Sequence, residues 1–371
     1  MNVLGIETSC DETAAAVVST TGDPARPWRV RSNIIASQTD IHREWGGIVP
    51  ELASRQHVRD ICGVVDRALT EAHVSWPDVD AIAVTQGPGL IGSLLVGVSF
   101  AKAAAATRGC PIVAVHHLAG HIESIVLEHG PMPLPAVVLV VSGGHTSLYF
   151  VEEPGHYQLV GRTRDDAAGE AYDKVARLLG LGYPGGPVID RRARIGRDDA
   201  VDLPRPKFTH ADRNSLPRAM ADRASAGQFV ADFSFSGLKT AVVRWLEVRG
   251  VPVARGFTVP TSAGPLSEQE VNDFCASFQR VVVESLVERT FDAAVRLGAK
   301  SVGIAGGVSA NSRLRHDAVA RGQAEGIPVF VPPLSLSTDN AAMIAAAGLR
   351  KIERGVTSPL DFNALATFDI E

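Results

Sequence analysis

Cysteine pairs, an uninterrupted apolar span and an excess of basic charge are all missing from this sequence, and each absence removes a class of protein. Only four cysteines occur in 371 residues. Cys10, Cys62, Cys110 and Cys275 share no short spacing, which excludes a zinc ribbon or a Cys-x-x-Cys redox pair and fits a reduced chain. The most membrane-like stretch, 90–106, carries Lys102 and follows Gly87-Pro88-Gly89, so it reads as a buried helix rather than a span. Residues 3–6 form a strand-like run leading straight into Glu7. No basic n-region or cleavage site precedes them, so no signal peptide is expected and the expected location is the cytoplasm. The formal net charge of −5 leaves no global basic footprint, so contact with RNA would have to be local or shared with a partner. Neither a Walker A sequence nor a Rossmann fingerprint is present.

What is there is glycine-rich and alternating. Many of the 35 glycines stand in pairs at the ends of apolar runs, the place for tight turns that meet ligands. Runs at 3–6, 14–18, 81–84, 112–115, 136–141, 148–151, 301–305 and 329–331 predict strands. Helical periodicity covers 48–73, 91–107, 170–179, 236–247, 268–297 and 338–351. Such alternation is an α/β pattern, and the length suits two lobes.

Two internal echoes sharpen it. Strand 3–6, a polar turn and strand 14–18 are matched by strand 138–141, the turn Ser142-Gly143-Gly144-His145 and strand 147–151. Each continues past a glycine turn (Gly22, Gly155) toward a third strand-like run. The stretch 81–121 likewise matches 301–339: strand, glycine-rich turn, helix, then a strand opened by Pro111 or Pro328. Two similar α/β lobes would bind a ligand in the cleft between them, at the carboxyl ends of the strands. This resembles the actin, Hsp70 and sugar-kinase architecture. One lobe is expected from 1–132 with 340–371 and the other from 133–339, with metal and nucleotide in the cleft. The stretches 22–31 and 249–266 read as surface loops.

His117 and His121 stand at i and i+4, which on a helix is metal-chelating geometry, though the spacing alone also fits ordinary polar groups at a helix start. The second echo puts Asp339 at the corresponding strand end of the other lobe, so the three could converge. Two His and one carboxylate leave open positions and suit Fe(II) or Zn(II). A zincin metalloprotease would need Glu directly after the first His, where this chain has Leu118.

Val140 and Val141 end a strand, and Ser142, Gly143 and Gly144 let backbone N–H groups approach an anion. A tight hairpin turn fits equally well. Gly306-Gly307-Val308-Ser309-Ala310-Asn311 could let an adenine or ribose lie against the backbone with Asn311 reading an edge. It could also be a plain strand-to-helix turn capped by Ser309. Asp173 and Asp190 could accept ribose hydroxyls, or be a solvated helix acid and a helix-start acid respectively. Three carboxylates crowd Glu7-Thr8-Ser9-Cys10-Asp11-Glu12-Thr13, so a cation, donors or water must offset them.

Seven ordered motifs carry a family resemblance that spans nearly the whole chain. They are Glu7 to Thr13, the His117/His121 run, Val141 to Thr146, Gly169-Glu170-Ala171-Tyr172-Asp173-Lys174, Phe233-Ser234-Phe235-Ser236-Gly237-Leu238-Lys239-Thr240, Gly306 to Asn311, and Ser337-Thr338-Asp339-Asn340-Ala341-Ala342-Met343. In these the chain resembles the bacterial (TsaD) type of the tRNA threonylcarbamoyladenosine synthase family. The resemblance implies a two-lobed actin-like fold with duplicated RNase H-like α/β lobes. It implies transfer of the threonylcarbamoyl group of L-threonylcarbamoyl-adenylate to N6 of the adenosine on the 3′ side of the anticodon, in tRNAs reading codons that begin with A, with release of AMP. It implies that His117, His121 and Asp339 hold one divalent ion, Fe(II) ahead of Zn(II), and act in catalysis through it. It assigns adenylate contacts to Val140, Val141, Ser142, Gly143, Gly144, Asp173, Gly186, Asp190 and Asn311. The implied partners are tRNA, an inactive paralogue (TsaB-like) and a small P-loop ATPase (TsaE-like). His145 and Glu12 are candidates for the general base. Arg191, Arg192, Arg194, Arg197, Arg205 and Lys207 form the richest basic stretch, diluted by Asp198, Asp199 and Asp202. A small-molecule kinase of the same architecture and a non-catalytic paralogue are the remaining rivals.

Overall fold

A computed structural model describes residues 1–205, 231–251 and 266–370. Its residues group into two compact units: Met1–Pro133, Val151–Gln158 and Phe330–Glu371 in the first, Leu134–Phe150 and Leu159–Val329 in the second.

The first unit is built on a five-stranded sheet ordered β3-β2-β1-β4-β5. Its strands are β1 (Asn2–Glu7), β2 (Glu12–Thr20), β3 (Trp28–Ser37), β4 (Ala81–Gly87) and β5 (Ile112–His116). β1 and β2 form an antiparallel pair, whereas β1, β4 and β5 run parallel. Helices α2 (Pro50–Ala72) and α3 (Ile91–Arg108) pack Ile61, Val64, Val65, Leu94 and Val98 onto Leu4, Ile6, Ile82 and Val84 of the sheet. The helix Ala341–Glu353 packs against the same sheet and against α4 (His117–His129). Every residue from Ala341 to Leu349 is buried, so an alanine-rich sequence is what permits the close fit. A Cβ on Gly5 would fall 2.2 Å from the Ala341 carbonyl oxygen, so β1 and this helix touch backbone to backbone.

The second unit holds β6 (Ala136–Val141), β7 (Thr146–Val151), β8 (Gln158–Arg162), β9 (Ser301–Ala305) and β10 (Val329–Phe330), ordered β10-β9-β6-β7-β8. With β6 matched to β1, this is the order of the first sheet, and β6 pairs parallel with β9 as β1 does with β4. The duplication read from the two echoes is therefore present as topology. Around this sheet stand α5 (Ala168–Leu178), α6 (Gly185–Ala193) and the helices Ser236–Val248, Glu268–Arg296 and Ser312–Glu325.

The structure departs from the sequence reading in several places. Of the expected loop 22–31, residues from Trp28 onward belong to β3, an edge strand whose alternating exposure hides it among polar residues. Strand β8 lies where a third strand-like run is expected past Gly155, a run given no bounds in the sequence reading. The helix expected at 338–351 starts only at Ala341, because Asn340 caps it by accepting the Met343 N–H at 3.1 Å. The units also divide differently from 1–132 plus 340–371 against 133–339. Residues 330–339 and Val151–Gln158 lie with the first unit. Two contacts explain the latter: the Tyr157 hydroxyl donates to the buried Glu123 at 2.6 Å, and Arg354 donates to the Gly155 carbonyl. Of the expected loop 249–266, residues 252–265 lie outside the described residues, as does Lys207. Among the described residues no helix is long and apolar enough to cross a membrane, and 90–106 falls in the α3 region.

Candidate active site

His117 opens α4 directly after β5, and His121 follows one turn later on the same face. His116 caps the helix: its Nδ1 accepts the Leu118 N–H at 3.1 Å while its Nε2 lies 3.1 Å from the Phe368 carbonyl oxygen. This fixes the His116 tautomer as Nε2–H. Asp339 arrives from the segment before the helix Ala341–Glu353. Gly120, between the histidines, faces that helix, where a Cβ would sit 2.9 Å from Ile344 Cδ1. Lacking one, α4 comes close enough to bring the three side chains together.

His117 Nε2 stands 3.5 Å and His121 Nε2 3.2 Å from Asp339 Oδ1. The candidate ligand atoms all lie within 4.8 Å of one another. A tetrahedral ion with bonds of about 2.1 Å spaces its ligand atoms about 3.4 Å apart, so the set fits. His121 supplies an independent argument. It is fully buried, yet neither ring nitrogen makes a hydrogen bond, even though Nε2 is within ion-pair distance of Asp339. Buried imidazoles are ordinarily satisfied, so this one is shaped for a ligand. The side chains of His117 and His121 are 5% and 0% exposed and that of Asp339 is 22% exposed, so the cluster opens to solvent on the aspartate side. All three belong to the first unit, whereas the sequence reading brought Asp339 from the other lobe. The reason is that the chain rejoins the first unit at Phe330.

Burial works against protonation of His117, but Asp339 and Glu7 outweigh it and raise its pKa to about 10. Asp339 is raised by burial but held well below the usual carboxylate range by His117 and His121. Burial, helped by the charge of His117, lowers His121. The protonated His117 thus sits where a cation would serve both carboxylates. In the neighbouring turn, burial pushes the Glu12 carboxyl up to about 8, with one oxygen accepting the Ser37 hydroxyl at 2.9 Å and the other buried without a hydrogen bond.

The second unit carries the expected nucleotide residues. Val140 and Val141 are buried at the end of β6, so only their backbone could meet a ligand. Gly143 and Gly144 are exposed and a Cβ on either would meet nothing within 4 Å, so the turn has open space before it. The turn is pinned from behind: Ser142 N–H donates to the His145 carbonyl at 2.7 Å and Gly169 N–H to the Ser142 carbonyl at 3.2 Å. Asp173 accepts the Gly185 N–H at 2.7 Å and so caps α6, next to Gly186. It is not a bare solvated acid. Asp190 is buried and accepts from Arg194, Gln279 and both the N–H and hydroxyl of Ser312. It is a helix-start acid, but for the helix Ser312–Glu325 rather than its own. Asn311 is the N-cap of that helix: Oδ1 accepts the Leu314 N–H at 3.0 Å, while Nδ2 donates to Gln279 at 2.8 Å. Ser309, the cap expected from sequence, is instead buried in the preceding turn with its hydroxyl unpartnered.

A cavity of about 400 Å³ opens beside these residues, lined by Ala193, Arg194, Ala276, Gln279, Ser312, Arg313, His316 and Asp317. That is ample for a nucleobase. Gln279, Arg313 and His316 escaped the sequence reading, since each sits on an ordinary-looking helix face. The basic stretch is neutralised locally: Arg194 pairs with Asp190, Arg197 with Asp199, and Arg205 with Glu284 and Glu288.

A sequence profile of the family described as tRNA N6-adenosine threonylcarbamoyltransferase matches residues 29–346. Proteins of that name from Acaryochloris marina (strain MBIC 11017) and Anaeromyxobacter dehalogenans (strain 2CP-C) are 48% and 50% identical to the chain. The first alignment covers 99% of this chain and 93% of the relative, the second 98% and 97%. Full-length HypF in its phosphate- and nucleotide-bound form shares the fold alone. The TM-score is 0.54 at 12% identity, over 95% of this chain and 46% of that one.

Proposed function

Since the chain belongs to the tRNA N6-adenosine threonylcarbamoyltransferase family, we propose that His117, His121 and Asp339 are its metal ligands and that the β6 turn with Asp173, Gly186, Asp190 and Asn311 receives the adenylate. The chain is an acyltransferase that modifies adenosine 37 of tRNA, and neither the kinase nor the protease reading is favoured. The donor is L-threonylcarbamoyl-adenylate, and the attacking N6 amine displaces AMP from the carbamoyl carbon.

A divalent ion, Fe(II) ahead of Zn(II), supplies Lewis-acid stabilisation of the charge that develops on donor oxygens. His117, His121 and Asp339 would hold it. Gly143 and Gly144 leave room for an anionic group to approach backbone N–H groups. The cavity beside Ser312 suits the adenine, and Arg194 and Arg313 line it. Asp173 and Asp190 are already engaged in capping, so their part is to set the shape of the site as well as to meet the ribose. An arylamine is a poor nucleophile, so holding donor and acceptor in register carries much of the rate. Glu12 and His145 are the two general-base candidates.

An inactive paralogue and a small P-loop ATPase complete the working assembly in the cytoplasm. The exposed Trp45, Val58, Ile91 and Leu95 of the first unit are consistent with a protein partner.

The observation that carries the reading is the fully buried His121, with no hydrogen bond on either ring nitrogen and Nε2 3.2 Å from Asp339 Oδ1. The test is transfer of labelled threonine to unmodified tRNA by the purified chain, with its partner proteins, bicarbonate, ATP and the adenylate-forming enzyme. Label in tRNA that disappears with His121→Ala supports the proposal. Undiminished transfer by His121→Ala, or none by the wild type beside a working control enzyme, overturns it.

A further inference from the structure

β1 ends on Glu7, a fully buried carboxylate. Its Oε2 lies 3.0 Å from His117 Nδ1 and accepts the Thr85 hydroxyl of β4 at 2.7 Å. Its Oε1 accepts the Ser9 backbone N–H. Glu7 is thus held at three points, and one of them is the imidazole nitrogen that does not face Asp339. The Ser9 hydroxyl also approaches that nitrogen, at 3.3 Å, as a longer and uncharged contact. His117 Nε2, on the opposite side of the ring, is the atom 3.5 Å from Asp339 Oδ1.

From this geometry we infer that Glu7 is a positioning residue for the candidate metal centre. It accepts the Nδ1–H of His117, fixes the tautomer that leaves Nε2 as the ligand atom, and sets the plane of the ring. The parallel β1–β4 pair is what makes this possible. It puts Glu7 and Thr85 on neighbouring strand ends, next to the start of α4. The two histidines are therefore unequal. His117 is locked from behind, whereas His121 has no hydrogen bond on either nitrogen and depends on packing for its orientation. A carboxylate behind a ligand histidine raises the basicity of the ligand nitrogen as well as aiming it, and its loss weakens metal binding about tenfold to a hundredfold.

The inference rests on the metal reading of the triad, and its test separates the two. Zn(II) affinity of the full chain is measured by competition with a chromophoric chelator for wild type, His117→Ala, His121→Ala and Glu7→Gln, with circular dichroism confirming the fold. The tautomer of His117 is read by long-range ¹H–¹⁵N correlation in the zinc-loaded protein. Expected are loss of tight binding in both histidine variants, and for Glu7→Gln a weakening of about tenfold or more with a mixed tautomer signature. Tight zinc binding by the two histidine variants would remove the metal reading itself and this inference with it. Loss in those variants, with Glu7→Gln within twofold of wild type and a pure Nδ1–H signature, would leave the metal centre standing and overturn the role of Glu7. Should Glu7→Gln not fold, Thr85→Val loosens the same carboxylate. A loss of threefold or more then supports the inference, and unchanged affinity refutes it.

Discussion

Replacing Gly120 by alanine should damage the candidate metal centre more than it damages the fold. A Cβ there would sit 2.9 Å from Ile344 Cδ1 and 3.1 Å from Met343 Cγ. Comfortable carbon–carbon contact needs about 3.5–4.0 Å, so both neighbours must retreat by several tenths of an ångström. Ile344 and Met343 are fully buried, which leaves them little space to do so. Overpacking of this kind costs about 1–3 kcal/mol. Alanine returns about 1 kcal/mol of helix propensity, so the net loss is about 0–2 kcal/mol. The displacement falls between α4, which carries both histidines, and the helix that begins two residues after Asp339. Ligand positions tolerate only about 0.5 Å of error, so zinc affinity should fall by roughly tenfold or more. Gly63 provides the control. It is an exposed residue of α2 where a Cβ meets nothing within 4 Å. Gly63→Ala should therefore stabilise by about 0.5–1 kcal/mol and leave zinc binding alone. Urea denaturation and chelator competition on the two variants decide the matter. A Gly120→Ala protein that gains stability like Gly63→Ala and binds zinc normally would refute the close-packing argument.

Three further outcomes are expected. Glu123→Ala strands Arg350 and the Tyr157 hydroxyl, both of which donate to this buried carboxylate. It should cost about 3–5 kcal/mol in urea denaturation, and a loss under 1 kcal/mol would contradict the network. Glu12 has its pKa raised by burial to about 8 in the folded chain, so its contribution is fully present below about 4.5 and is lost as pH rises through 8. The metal-stripped protein should lose on the order of 2 kcal/mol between pH 6 and pH 9 from this group, and Glu12→Gln should flatten the curve. A variant with the same pH slope as wild type would remove the shift. Asn311→Ala should lower stability by about 1–2 kcal/mol through loss of the cap on Ser312–Glu325, and Asn311→Asp should recover most of it. Equal losses in thermal unfolding would show that the cap is not what Asn311 provides.

The elements that were legible in the sequence share a physical trait: they bury both faces or a wide stripe. β1, β4, β5, β6 and β9 are continuous apolar runs because both faces of each are covered. β3 was not legible in that way. It is an edge strand in which Trp28, Ser32 and Ile34 are buried while Arg29, Arg31 and Ile35 are exposed, and the period-2 signal is diluted by a serine at an inward position and an isoleucine at an outward one. A third strand-like run is expected past Gly22, and counting alternation from Trp28 onward, rather than looking for hydrophobicity, gives that run its bounds. The caps were misread for a related reason. Ser309 and Asn311 are both good capping residues, and only the turn Gly307–Ala310 decides that the helix starts after the second.

Asp339 shows how a sequence echo can bring a residue to a candidate cluster while misplacing its structural origin. Matching the ends of two echoed strands singled it out, and the echo is real in the strand order of the two sheets. Yet the aspartate reaches the histidines because the chain rejoins the first unit at Phe330. What then fixes its place is local. Asn340 caps the following helix and donates to the Thr338 carbonyl at 2.8 Å, so Asp339 is held between two residues whose side chain and backbone are tied to each other. Glu7 is legible only as one of three crowded carboxylates, with its partner left open between a cation, donors and water. Nothing in Glu7-Thr8-Ser9 distinguishes a carboxylate behind a histidine from one facing solvent until β1 and β4 pair. Ligand residues can be read from spacing because a helix repeats within five residues. The groups that aim them cannot, because Glu7 on β1 meets Thr85 on β4 and His117 at the start of α4 across 78 and 110 residues of chain.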